Sequence, residues 1–175
     1  ASQLARGAKV SVIDADPNHP IAAWGRDAQL PKNLSIIADV DEDNILDRIE
    51  EAATKLPFVI VDLEGTEAKI VLLAVSQADL EVIPMQRLQL DAEQASRASR
   101  VLKQHERMTC RAVPYGVLLS RTGPIIRTQT RGHIQNGLAD AGVPMFTTQL
   151  DTSKNRVILA SWVRTGHADL TKYGF

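Results

Sequence analysis

Residues 9–18 read Lys9-Val10-Ser11-Val12-Ile13-Asp14-Ala15-Asp16-Pro17-Asn18, and residues 58–65 read Phe58-Val59-Ile60-Val61-Asp62-Leu63-Glu64-Gly65. Each is a short apolar run, rich in β-branched residues, that stops at a carboxylate. Such runs, without polar alternation, are what strands buried on both faces of a parallel sheet require. Working outward from these two, strands are predicted at Lys9 to Ile13, Ser35 to Ala38, Phe58 to Asp62, Asp79 to Pro84, Tyr115 to Leu119 and Met145 to Gln149. Between them, Asp43 to Lys55 sets Ile45, Leu46, Ile49 and Ala53 at helical spacing, Leu90 to Glu106 carries a long helix and Ile125 to Ala141 carries another. The last should stop at Gly142-Val143-Pro144, because Gly tolerates a left-handed cap and Pro cannot continue a helix. The expected fold is α/β: a doubly wound, mostly parallel sheet flanked by helices, in a single domain over residues 1–175.

A chain of 175 residues, 44% of them apolar, can bury a core without disulfides or structural metals. Its single cysteine, Cys110, has no internal partner, and no apolar run approaches the roughly 20 residues of a membrane helix. A cytoplasmic protein is expected. The opening Ala1-Ser2-Gln3-Leu4-Ala5-Arg6-Gly7 reads as the last turns of a helix with Gly7 as its cap, so the sequence is expected to have lost its start. The net charge of −1 hides an asymmetry: residues 1–96 carry 8 Lys/Arg against 17 Asp/Glu, and residues 97–175 carry 12 against 4. The basic half is either a solvated surface or an electrostatic footprint for nucleic acid or acidic lipid.

In open parallel sheets, ligands sit outside the carboxyl ends of the strands. Asp14, Asp16, Asp62 and Glu64 fall at two such ends. Carboxylates gathered there repel one another unless a cation lies between them, which makes a Mg²⁺ site the economical reading, against an acidic rim without metal. The run ending at Asp62 has the Walker B form, a buried strand that delivers one carboxylate to a magnesium ion on nucleotide phosphates. His19, His105, His133 and His167 are scattered and suggest neither a metal site nor a triad. Cys110, Trp24 and Trp162 read as structural residues.

Taken together, the two motifs carry a resemblance. Val10 to Asn18 resembles the segment that follows the P-loop helix in ParA/MinD-type partition ATPases: an apolar strand, Asp-x-Asp-Pro, then Gln or Asn. Trp24 fits one branch of that family. Leu80-Glu81-Val82-Ile83-Pro84-Met85-Gln86 with Leu88-Gln89-Leu90-Asp91 resembles its strand, Pro and helix start near the dimer-facing side, and Val117-Leu118-Leu119-Ser120-Arg121 its strand beside the base, with Ser120 in place of Asn. Gly142 to Phe146 and Arg156 to Gly166 look like its last strand and closing Arg-bearing helix.

The resemblance implies roles. Asp16 would position or activate the attacking water, Asp14 would lie near magnesium, Asp62 would be the Walker B ligand, Gly65 would mark the loop that senses the γ-phosphate, and Ser120 and Arg121 would lie near the base. ATP and Mg²⁺ are the implied cofactors. The implied partners are a second copy of the chain, duplex DNA bound without sequence preference, and a ParB-like or other stimulating protein, in the cytoplasm of a bacterium and on its nucleoid, with no membrane. For DNA the candidates are Arg127, Arg131, Lys154, Arg156 and Arg164, within a basic set that also holds Arg121 and His133. No aromatic residues interleave them, which argues against stacking on single strands.

One departure is large. The family's Lys-Gly-Gly-x-Gly-Lys-Thr loop is absent, and no segment offers G-x-x-x-x-G-K-[ST]. A strand, phosphate loop and most of a helix, ~25–35 residues, are expected just before Ala1. Without them the chain is expected neither to bind ATP tightly nor to hydrolyse it, and to leave a sheet edge or gap for the missing strand. The competing readings are a non-catalytic adaptor of the same fold, a phosphoacceptor signalling domain with Asp62 as its acceptor, and a small-molecule ATP-dependent enzyme. The phosphoacceptor reading wants a Lys at the end of a later strand, whereas Lys103 is predicted inside a helix.

Overall fold

The computed structural model describes residues 1–64, 69–86, 89–122, 136–151 and 160–164. Strands and helices alternate as β1 (Val10–Asp14), α1 (Pro20–Asp27), β2 (Leu34–Ile37), α2 (Ile45–Lys55), β3 (Phe58–Asp62), α3 (Lys69–Gln77), β4 (Leu80–Met85), α4 (Gln89–Thr109), β5 (Tyr115–Thr122), β6 (Met145–Asp151) and β7 (Ala160–Arg164). All six predicted strands are present, each displaced or extended by a few residues at most. The α/β class follows, with parallel strands and flanking helices.

The chain divides into two compact units, one built on Ala1–Leu80 with the strand residues from Ser161, the other on Glu81–Ala160. In the first, β1 runs parallel to β2 on one side and to β3 on the other, and β7 pairs antiparallel with β3. Every residue of β1 and β3 is buried, which explains why both sequences are apolar throughout instead of alternating. Ile13, Val59 and Val61 pack against Ile45, Ile49 and Ala52 of α2 and Ala74 of α3. The buried positions of α2 recur every three or four residues. Its outer face carries Arg48, Glu51 and Lys55 in ion pairs one turn apart.

In the second unit, β5 lies parallel between β4 and β6. Met85, Val117 and Leu119 pack with Ala95, Leu138 and Val143. Gly116 is where the ring of Phe146 crosses β5: a Cβ there would come 2.9 Å from the ring, so the glycine makes room for the aromatic on β6. The predicted helix Ile125 to Ala141 falls mostly outside the described residues, but residues 136–140 are helical. Its stop is as expected. Gly142 has φ +64, its N–H donates to Ala139 O at 2.9 Å, and the Val143 N–H donates to Leu138 O at 2.8 Å, the paired bonds of a Schellman end.

Three expectations need correction, and two helices had no assignment. The opening residues form a 3₁₀ turn at Leu4–Arg6 instead of an α-helix, and Gly7 has φ −125, because an i→i−3 bond from Gly7 N–H to Leu4 O closes the turn without a left-handed residue. Leu46 points outward at 37% exposure while its neighbour Ile45 is fully buried, since only one of two adjacent helical residues can face the core. Helices α1 and α3 carry no assignment from periodicity. α1 has eight residues, and the apolar run Ile70 to Val75 in α3 matches a buried strand as well as a helix until its burial at Val71, Ala74 and Val75 is seen. Finally, residues 160–164 within the expected closing helix form a strand, consistent with Trp162 and Val163 favouring a pleated surface.

Replacing Ile45 with Ala should lower unfolding free energy by about 2–5 kcal/mol, whereas Leu46→Ala should stay within about 0.5 kcal/mol of the parent. Urea denaturation of the two variants reads the difference, and equal losses would contradict the assigned helix face.

Candidate functional site

The site grows from a register. β1 and β3 pair residue for residue from Val10↔Phe58 to Asp14↔Asp62, so the two runs end level and their carboxylates stand on neighbouring strands, about 4.8 Å apart at the backbone. The ladder runs one bond further, from Ala15 N–H to Asp62 O at 2.9 Å, and carries the chain over the strand ends toward Asp16.

From there each polar atom has a traceable task. The Asp16 carboxylate accepts the Asn18 N–H at 2.7 Å through Oδ1, an Asx turn that tightens Asp16-Pro17-Asn18. His19 follows with φ 45, a left-handed residue whose N–H donates to Asp16 O at 2.9 Å, and Pro20 opens α1 with φ preset for a helix. The helix then turns back on the strand: Ala22 N–H donates to Asp14 Oδ2 at 2.7 Å. Asp14 thus caps the first turn of α1 from a strand eight residues upstream, satisfying a donor that has no partner within the helix. Gly25 keeps α1 close to β2, because a Cβ there would overlap Ile36 Cδ1.

Electrostatically the arrangement is frustrated. Asp14 is fully buried and Asp62 is 6% exposed. Asp14 Oδ1 is buried with no hydrogen-bond partner, as is Nδ1 of His19. Burial, then the charges of Asp14 and Asp16, pushes the Asp62 carboxyl from its ordinary 3.8 up to about 7. Among the described residues no ion pair reaches Asp14, Asp16 or Asp62, and the unpartnered Oδ1 of Asp14 is the kind of oxygen a small hard cation takes. Among the described residues no group of three or more His, Cys, Asp or Glu is placed to cage a metal.

The other candidates stand apart. Glu64 is exposed, and Gly65 lies outside the described residues, as do Arg127, Arg131, Lys154 and Arg156. Ser120 is buried in the second unit and donates its hydroxyl to Met85 O at 3.3 Å, so that hydroxyl ties β5 to β4. Arg121 follows it in β5, and Arg164 is in β7 opposite Phe58. Lys103 lies within α4. One basic feature was not anticipated. Arg97, Arg100, Lys103 and Arg107 recur every three or four residues on α4 and are all exposed, on the side opposite the buried Ala95, Ser99, Leu102 and His105. Their spacing was visible in the sequence; the side they share was not.

Parallel strands with flanking helices are the fold shared with the P-loop ATPases of the ParA/MinD type. No family model matches the chain. It is 31% identical over 145 residues to the protein ParA of Rhizobium radiobacter, a match covering 83% of this chain and 65% of the relative, so the chain spans less than two thirds of that protein's length. Among solved structures, the ATP complex of a Cyanothece McdA variant superposes with a TM-score of 0.69 at 14% identity, over 85% of this chain and 73% of that one. A ParA family ATPase from Chlorobium tepidum superposes with a TM-score of 0.62 at 13% identity, over 84% and 72%. In sequence the chain is similar to a ParA protein, and in fold to the ParA/MinD-type P-loop ATPases.

Two predictions follow from the charges and the cap. Between about pH 4 and 7 native Asp62 holds a proton that the unfolded chain has released, so stability should fall as pH rises through that window and level off above it. Asp62→Asn should flatten the fall and be more stable than the parent at pH 8, the gap closing toward pH 4 in urea titrations; parallel profiles would refute the assignment. Asp14→Asn keeps an acceptor for Ala22 N–H and Asp14→Ala does not, while both remove the charge. The Ala variant should therefore be the less stable by about 1 kcal/mol.

Proposed function

We propose that this chain supplies the magnesium-facing and water-activating side of a ParA-type ATP site, in a protein that partitions DNA or positions another cargo. The observation that carries this reading is the level pairing of Asp14 with Asp62, with Asp16 in an Asx turn two residues on and near enough for its charge to act on Asp62. Asp62 acts as the Walker B carboxylate. Asp14 offers Oδ1 to the same cation while Oδ2 holds α1 in place. Asp16, with Oδ1 engaged by the Asn18 N–H, keeps its second oxygen to orient a water for in-line attack, where positioning and charge neutralisation outweigh covalent help. Magnesium, when bound, supplies the positive charge that lets these carboxylates and the phosphates share one small volume. Gly65 belongs to the loop that senses the γ-phosphate, and Ser120 and Arg121 to the side near the base. The ATP complex of the related fold supports nucleotide as the ligand.

ATP closes a homodimer in this reading, the dimer binds duplex DNA without sequence preference, and hydrolysis stimulated by a ParB-like or other partner releases it. Besides Arg127, Arg131, Lys154, Arg156 and Arg164, the exposed row Arg97, Arg100, Lys103 and Arg107 offers phosphate contacts along roughly 15 Å of helix. The sequence holds no phosphate loop, so these 175 residues alone are inactive as an ATPase. A phosphoacceptor role for Asp62 is disfavoured, since the carboxyl is buried and held partly protonated, and Lys103 is not at a strand end.

The test compares this chain with a form carrying a phosphate-loop strand and helix, with magnesium and with or without duplex DNA. ATP should bind and turn over slowly only in the extended form. Asp16→Ala should cut turnover about 100-fold or more while sparing binding, and reversing the four α4 charges should weaken DNA binding and its salt dependence. Absence of nucleotide binding in the extended form would sink the proposal.

A further inference from the structure

The charges of this chain are segregated. Residues 1–96 carry 8 Lys/Arg against 17 Asp/Glu and residues 97–175 carry 12 against 4, yet the sum is −1. Two copies can therefore attract through unlike faces with almost no net charge to hold them apart. Two helices, α2 and α4, each concentrate one sign, and neither carries a residue of the ATP site proposed above.

The side of α2 away from Ile45, Ile49 and Ala52 carries two rows. In one, Arg48, Glu51 and Lys55 are paired with one another or with Asp39. The other is Asp47 and Glu50, with Asp43 in the turn before the helix. All three are exposed, and among the described residues none makes an ion pair. Leu46 flanks them at 37% exposure. On α4, Arg100, Lys103 and Arg107 are likewise exposed and without an ion pair among the described residues. Glu106, the one acid between them, is about 100° round the helix from Arg107.

The two spacings match when one helix is read backwards. From Asp43 to Asp47 is four residues and on to Glu50 three; from Arg107 to Lys103 is four and on to Arg100 three. At a rise of about 1.5 Å per residue each stripe is about 10 Å long. Helices laid antiparallel would set Asp43 opposite Arg107, Asp47 opposite Lys103 and Glu50 opposite Arg100. That direction also sets the positive end of the α2 dipole against the negative end of α4. Leu46 comes opposite Gln104, one turn from the exposed Met108, so apolar surface lies beside the ion pairs.

We infer that the acidic stripe of α2 docks on the basic stripe of α4 of a second copy of this chain, in that antiparallel register. Each copy holds both stripes, so the contact either closes as a two-fold pair or repeats head to tail. Exposed ion pairs each contribute little, which makes the association weak, with a Kd of about 0.1–1 mM, and sensitive to salt. A stripe engaged in this way is closed to DNA phosphates.

The test is sedimentation equilibrium of the 175-residue chain up to about 1 mM, in about 20 mM and about 500 mM NaCl. The average mass should rise with concentration at low salt and return to that of one chain at high salt. An acid-reversed form (Asp43→Lys, Asp47→Lys, Glu50→Lys) and a base-reversed form (Arg100→Glu, Lys103→Glu, Arg107→Glu) should each associate at least about tenfold more weakly than the parent. Mixed in equal amounts they should associate again, because the positive α2 of one now meets the negative α4 of the other. Misfolding cannot produce that recovery. If a triple variant does not fold, Asp47→Lys and Lys103→Glu, each weakened alone, should restore association when combined in one chain. A parent that stays a single chain at low salt would overturn the inference, as would folded reversed forms that remain apart when mixed. A base-reversed form that loses binding to duplex DNA yet associates like the parent would overturn it too, and would give the α4 row to nucleic acid alone.

Discussion

Two carboxylates that have no business side by side in a protein interior end adjacent strands in register, and most of the first unit is arranged around that conflict. Asp14 and Asp62 terminate strands whose every residue is buried, so neither can retreat into water without unpairing the sheet. The protein relieves the repulsion in two partial ways. It gives one oxygen of Asp14 a backbone donor from α1, and it leaves Asp62 protonated to well above the usual carboxylate range. Neither remedy treats Asp14 Oδ1, which remains buried without a partner. An apolar pair at these positions would give a more stable sheet. Retaining acids there makes sense where a positive charge arrives to use them.

The cap on α1 links this electrostatic conflict to local geometry. Its donor is supplied from outside the helix, by an acid on β1, and that bond sets where α1 begins. The loop between is shaped by the Asp16 Asx turn and the left-handed His19. Neutralising the cluster and ordering Asp16 are therefore coupled through backbone bonds a few residues long. For in-line attack by water, a preset carboxylate is worth more than a mobile one.

How much of this the sequence disclosed depends on the range of the interaction involved. Strands β1 and β3 were legible because burial on both faces writes itself as unbroken apolar runs, and the end at Gly142 was legible because Schellman chemistry is local. Asp14, Asp16 and Asp62 were legible as a set because they close such runs. Their register was not, since it depends on crossovers between residues 14 and 58. Nor was the cap on Ala22 foreseeable, although Pro20 in first helical position was a local signal for α1. At Ser120 the structure adds what the sequence could not show: its hydroxyl is bonded to the neighbouring strand.

β7 is where local and non-local preferences part. A segment expected as a helix is a strand, and it pairs antiparallel with β3. A parallel sheet with a free central edge is unstable against whatever strand-competent segment is near, because unpaired backbone groups in a buried position cost more than an unfavourable direction of pairing. Antiparallel pairing with β7 meets that need for the backbone groups of β3.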